Sequence, residues 1–203
     1  MGGVSEPAPE NERIRMFVAL DLPEPMRHGI AAWSEAELGD PALRRVAPES
    51  LHVTLAFLGS RPPGDVERVA RAMAESRAPA PLLELRDPAP RPPRGRPKLF
   101  ALPVISPGAE QLQAQLSRIL ISERLYEPEK RPFWPHVTVA RVRAEGRGSR
   151  RPMRVERLPG SLPAELTEPS FSGRLKLYRS VLQSQGARYA PLAQVELPGA
   201  GRQ

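Results

Sequence analysis

The chain contains no cysteine. Disulfides and thiolate metal sites are therefore excluded, and the absence fits a reducing compartment. Long apolar runs are missing as well. No stretch approaches a membrane span, and the polar opening Met1–Arg13 lacks the apolar core of a signal peptide. The expectation is a cytoplasmic protein with no membrane partner. Residues 1–12 and 199–203 read as tails, the first of them disordered, around one domain spanning 13–198. Lysine is scarce too, confined to Lys98, Lys130 and Lys176, although the net charge is +7. The positive charge is thus almost entirely guanidinium, whose planar fork suits phosphate. One reading of this is a polyanionic partner such as RNA. The other is solvated charge in an Arg-, Ala- and Pro-rich chain, and charge alone leaves both open.

A hydrophobic fraction of 40% in 203 residues supports one sizeable core. Ile14–Leu20 reads as a strand, and Pro23 and Pro25 open a helix that runs to about Leu38. Arg44–Ala47 is a short extended piece. His52–Leu58 is a strand ended by Gly59, and Asp65–Glu75 a helix behind the Pro62-Pro63-Gly64 turn. Leu82–Leu85 and Lys98–Val104 read as strands. Asp87–Pro97, dense in proline and arginine, reads as a basic extended loop. Ala109–Leu125 is a helix with Leu112, Leu116, Ile119 and Leu120 on its core stripe. Val137–Val142 is a strand, Ala144–Pro152 a Gly/Arg loop, and Phe171–Leu182 and Ala190–Leu197 hold the last strands, joined through Gly186. Helices interspersed among short strands indicate an α+β class.

Histidine is scarce, with three in the chain. Two of the three fall in an identical tripeptide, His52-Val53-Thr54 and His136-Val137-Thr138, each inside an apolar run that reads as a strand. Positions i and i+2 of a strand share a face, so each copy presents an imidazole and a hydroxyl side by side. The repeat implies two related lobes. A duplicated core would repeat Leu or Val more naturally than an ionisable ring, whose burial costs free energy. Two such pairs facing one pocket supply a base, an acid and two neutral donors for the non-bridging oxygens of a phosphodiester. Arg141, at the end of the second strand, is a candidate to neutralise phosphate charge. It lies three residues after Thr138, so a regular strand would turn it to the opposite face, and a bulge or a strand end must bring it back. Zinc would need a third ligand. His28 stands in a helix without matching context, so no metal and no cofactor are expected.

Around these motifs the chain resembles the two-histidine phosphoesterase superfamily, and within it the RNA 2′,3′-cyclic phosphodiesterases, long called 2′-5′ RNA ligases. The similarity runs from about Arg15 to Leu192. It is carried by Arg15-Met-Phe-Val-Ala-Leu-Asp-Leu-Pro23, Leu51-His-Val-Thr-Leu-Ala-Phe-Leu-Gly59, Phe133-Trp-Pro-His-Val-Thr-Val-Ala-Arg141, Leu177-Tyr-Arg-Ser180 and Gly186-Ala-Arg-Tyr189. The resemblance implies a bilobal fold of two antiparallel sheets flanked by helices, with the site in the cleft between lobes. It implies metal-free hydrolysis of a terminal 2′,3′-cyclic phosphate to a 2′-phosphomonoester. It casts His52 as proton donor to the leaving 3′ oxygen and His136 as the acceptor that activates water, an order the residues alone do not set. RNA ending in a cyclic phosphate is then the expected partner, tRNA fragments among the candidates, and the protein is expected to act as a monomer. Thr54, Thr138 and Arg141 would hold the phosphate. Arg15 is a candidate phosphate contact at the cleft mouth or else a solvated strand end. Trp134 shares the strand parity of His136 and is the better candidate to stack a base, whereas Phe57 reads as core. The same residues would serve a ligase that replaces water with a 5′-hydroxyl. A non-catalytic RNA-binding module is the remaining alternative, and it would need no acid–base pair.

Overall fold

The computed structural model describes residues 13–76, 78–183 and 186–199. The expected tail 1–12 lies outside them, as do positions 200–203 of the expected tail 199–203. In chain order the elements are β1 (Ile14–Asp21), α1 (Glu24–Glu37), β2 (Leu43–Arg45), β3 (His52–Arg61), α2 (Asp65–Glu75), β4 (Leu82–Leu85), β5 (Ala89–Arg91), β6 (Leu99–Ile105), α3 (Pro107–Ser122), β7 (His136–Val142), α4 (Ala164–Thr167), β8 (Ser170–Phe171), β9 (Arg174–Gln183) and β10 (Gly186–Glu196). The fold is α+β and bilobal. Strands follow one antiparallel path, β10-β9-β1-β3-β7-β6-β4-β8, with β2 added to β7 and β5 to β6. The two expected sheets are the two halves of that path. They meet at β3 and β7, whose ladder has a single paired position, Val53 opposite Val137.

Local sequence explains most of the helices. Pro in the first turn of α1 has its φ preset and lacks only an N–H that would go unpaired there. Met26, Ile30 and Trp33 then recur at helical spacing on its buried face. Ser106 caps α3 by accepting from the Ala109 N–H at 3.1 Å. Leu112, Leu116 and Leu120 are its fully buried stripe. The helix stops at Ser122 and not at Leu125, because Arg124 takes a left-handed φ of 57°. The Arg124 N–H then donates to Ile121 and the Leu125 N–H to Leu120, a Schellman end with an apolar residue folded back onto the helix. Leu125 is fully buried there, which is why it reads as helical.

Two strand expectations are corrected. Gly59 does not end β3. It adopts φ +73°, and Leu58 stands unpaired where Met16 faces Gly59 and Phe17 faces Phe57. Glycine accommodates this bulge without a Cβ penalty, and the strand continues to Arg61. Asp87–Pro97 is not wholly loop, since Ala89–Arg91 pairs with Leu99–Ala101 as an outer strand. Such a strand leaves one side unpaired, so Pro90 removes no ladder bond it needs.

Candidate active site

The single Val53–Val137 pair fixes the site. Both valines are fully buried, so their neighbours point the other way. One step to either side, antiparallel running sets His52 alongside Thr138 and Thr54 alongside His136. Four side chains from two tripeptides 84 positions apart thus share one half-buried face. Each imidazole is anchored by the carbonyl two residues before it. His52 Nδ1 donates to Ser50 O at 2.7 Å and His136 Nδ1 donates to Trp134 O at 2.7 Å. A carbonyl can only accept, so the proton sits on Nδ1 and both Nε2 atoms present a lone pair to the groove. Thr54 Oγ1 lies 3.0 Å from His52 Nε2.

Each strand then carries a bulge directly after its threonine. In β3, Val18 faces Ala56 and Ala19 faces Thr54, leaving Leu55 extra. In β7, Phe100 faces Ala140 and Ala101 faces Thr138, leaving Val139 extra. The inserted residue resets the parity. Arg141 therefore returns to the face of Thr138, and its charge reaches both imidazoles. Phe57 returns to the face of Thr54. It is 57% exposed and borders the groove, which corrects the assignment to the core. Arg15 lies on β1 in phase with Phe17, and the two line a pocket together with Phe57, Arg141 and Tyr189. His28, the third histidine, is on α1 near Glu24.

The two histidines sit in unlike surroundings. Phe17, Tyr178 and Tyr189 enclose His52, with ring centroids 4.9, 5.9 and 5.3 Å away. Burial in this cage lowers His52 to about 4, with the nearby His136 and Arg141 adding to the effect against the Ser50 carbonyl and Asp21. Asp21 faces His52 across the β1–β3 ladder and is itself held by Arg27, Arg174 and Lys176. His136 stacks on Trp134 with centroids 4.1 Å apart at 15°, and the Arg91 guanidinium lies 3.8 Å from the Trp134 ring centre. Burial lowers its pKa too, helped by Arg91 and Arg141. Both rings are thus neutral in the empty groove at neutral pH. Trp134 lends its ring face to His136 and its remaining surface to the pocket that it lines with Thr54, Phe57 and Tyr126.

Sequence reasoning missed Arg91, Asp21 and the cage. Arg91 lay in the presumed loop. The cage residues lie within the segments that carry the resemblance, yet they come from β1, β9 and β10, and only the sheet order brings them to His52. Among the described residues no cluster of three His, Cys, Asp or Glu side chains could hold a metal ion, and no helix is long and apolar enough to cross a membrane.

Comparison with known proteins bears on this arrangement. The family model described as 2′-5′ RNA ligase superfamily matches residues 22–165. An Aeropyrum pernix protein named RNA 2′,3′-cyclic phosphodiesterase is 30% identical over 172 residues, covering 83% of this chain and 94% of its own. A Thermus thermophilus protein of the same name is 34% identical over 146 residues, covering 64% and 70%. Among solved structures, one from Thermus thermophilus superposes with a TM-score of 0.72 at 26% identity over 93% of this chain and 100% of its own. Escherichia coli LigT in apo form gives 0.70 at 25% over 93% and 99%.

Proposed function

The chain belongs to the 2′-5′ RNA ligase superfamily, and from that premise we propose that it is an RNA 2′,3′-cyclic phosphodiesterase that yields a 2′-phosphomonoester. The observation that carries the reading is the pair of imidazoles brought to one face by the Val53–Val137 register, each with its Nδ1 tied back to a carbonyl and its Nε2 turned to the groove, that of His52 beside the Thr54 hydroxyl. Binding alone needs no such pair.

The chemistry follows from those atoms. His136 Nε2 accepts a proton from water as the water oxygen attacks phosphorus. The bond from phosphorus to O3′ breaks opposite the attack, and the proton on His52 Nε2 passes to O3′. Thr54, Thr138 and Arg141 hold the non-bridging oxygens, and Arg15 adds charge at the mouth. His52 must start protonated, although burial holds it near 4 in the empty groove. The substrate supplies the remedy. An anionic phosphate about 4 Å from the ring, at an effective dielectric of 20, favours the imidazolium by roughly 4 kcal/mol. His136 lies beside Arg91, whose charge opposes protonation of that ring. The order of donor and acceptor is the one that the resemblance to the family implies. Exposed Phe57 offers the terminal base a stacking face.

The test is an RNA oligonucleotide ending in 2′,3′-cyclic phosphate, incubated with the protein in EDTA. Release of a 2′-phosphorylated end supports the reading. An unchanged end would overturn it, and a joined product on adding 5′-hydroxyl RNA would assign the ligase reaction instead.

A further inference from the structure

Arg44 and Arg141 face each other across the β2–β7 ladder. Like charges directly opposite are destabilising, and among the described residues neither has a carboxylate partner. Arg45 and Arg188 join them on the wall of one pocket and are likewise unpaired. Several other arginines are neutralised within the fold: Arg27 and Arg174 on Asp21, Arg61 and Arg68 on Asp65, Arg96 on Glu145. This wall gathers four guanidinium groups against one carboxylate, Glu49, and is strongly positive.

This pocket is not the reactive centre. Neither histidine and neither repeat threonine lines it. It adjoins that centre through Arg141 and through Ser50, whose carbonyl anchors His52. It therefore lies on the His52 side and shares Arg44, Arg141 and Tyr189 with the pocket of Arg15, while the pocket that Thr54, Trp134 and His136 line has no wall in common with it.

We infer that the pocket is a second phosphate subsite, holding the phosphate on the 5′ oxygen of the nucleotide that bears the cyclic end. The inference rests on the function proposed above and deepens it. Ribose connectivity supplies the direction. If O3′ leaves toward His52, then C3′ is turned to that side, and with it C4′ and the C5′ arm. C1′ and its base lie at the opposite end of the ring, toward the pocket that Thr54, Phe57, Trp134 and His136 line. The 5′ phosphate then falls among Arg44, Arg45 and Arg188, and the enzyme is built for the ends of RNA chains in preference to cyclic mononucleotides.

Two substrates isolate this contact: adenosine 2′,3′-cyclic phosphate with a 5′-hydroxyl, and the same nucleotide carrying a 5′-phosphate. The second adds one phosphate and no base. The wild-type protein should favour it by about 10-fold or more in kcat/KM, chiefly through KM, the scale of charge-assisted hydrogen bonds at a partly exposed site. The exposed pair Arg45→Ala/Arg188→Ala should erase most of that preference and leave the 5′-hydroxyl substrate unaffected. An equal loss of charge on the helices, Arg71→Ala/Arg118→Ala, should preserve it. Cleavage of the 5′-hydroxyl substrate with no gain from the 5′-phosphate overturns the subsite alone. So does a preference that survives the pocket variant, or one that falls equally in the helix variant. Failure to cleave either nucleotide overturns the proposed function and the subsite with it.

Discussion

Leu55 and Val139 occupy the same place in the two lobes: each is the unpaired residue that follows the repeat threonine, in β3 and in β7. The bulge makes the third residue after each threonine a groove residue. In one lobe that residue is Phe57 and in the other Arg141. A duplicated frame thus carries an apolar platform on one side and a cation on the other.

This placement makes Arg141 testable by two independent readouts. Arg141→Ala should lower kcat/KM about 10–100-fold, the scale of one charge-assisted bond to a phosphate oxygen. Its charge also depresses both imidazoles, so NMR titration of the variant should show His52 and His136 each protonating at higher pH than in the wild type. Unmoved titrations would show that Arg141 points away from the groove.

The histidines should fail independently. In the proposed mechanism each carries a separate proton transfer, so His52→Ala and His136→Ala should each reduce turnover by about 10²–10⁴-fold. Both rings are only half buried, and the fully buried Val53 and Val137 beneath them are untouched. Circular dichroism should therefore report folded variants. Near-normal turnover in either one would remove that ring from the mechanism.

Proton uptake should accompany anion binding. In the folded, empty protein His52 is held at about 4, against 6.5 for an ordinary ring. Between those values the unfolded chain binds the additional proton, so this ring's contribution to stability is complete above 6.5 and is lost as pH falls toward 4. An anion in the groove acts in the opposite direction by stabilising the imidazolium. Calorimetry of sulfate binding at pH 6.5 to 7, in buffers of different ionisation enthalpy, should show a fraction of a proton taken up per site. Sulfate does not titrate in this range, so the proton belongs to the protein. His52→Ala should reduce the uptake to the share that His136 contributes. Binding without uptake in the wild type would mean that the anion does not meet His52.

What could be read in advance divides along physical lines. The bounds of α2 follow from its turn and its periodicity, and the paired motifs follow from strand alternation, because both signals are local. Bulges are not local: Leu55 and Val139 look like ordinary core residues, and only the odd spacing from Thr138 to Arg141 hinted at one of them. Phe57 was misplaced for that reason, since an aromatic in an apolar run reads as core until its parity is reset. The prolines of Asp87–Pro97 concealed β5, and with it Arg91. The cage around His52 required the order β10-β9-β1-β3, which follows from long-range pairing and leaves no mark within any one segment.

The isomer of the product tests the orientation of the ribose. In-line displacement sets the attacking water and the leaving oxygen on opposite sides of phosphorus, with one imidazole serving each. The two Nε2 atoms are fixed by carbonyls at Ser50 and Trp134, so they cannot exchange places. A nucleotide held with its base toward Phe57 then presents a single oxygen to His52. With O3′ in that position, phosphate remains on O2′ and the product is a pure 2′-phosphomonoester. Phosphorus NMR distinguishes the isomers directly, and a strictly 3′-specific nucleotidase should leave this product intact. A pure 3′-phosphate would reverse the ribose and move the 5′ arm away from Arg45 and Arg188. A mixture would show that neither Phe57 nor the basic pocket selects one pose.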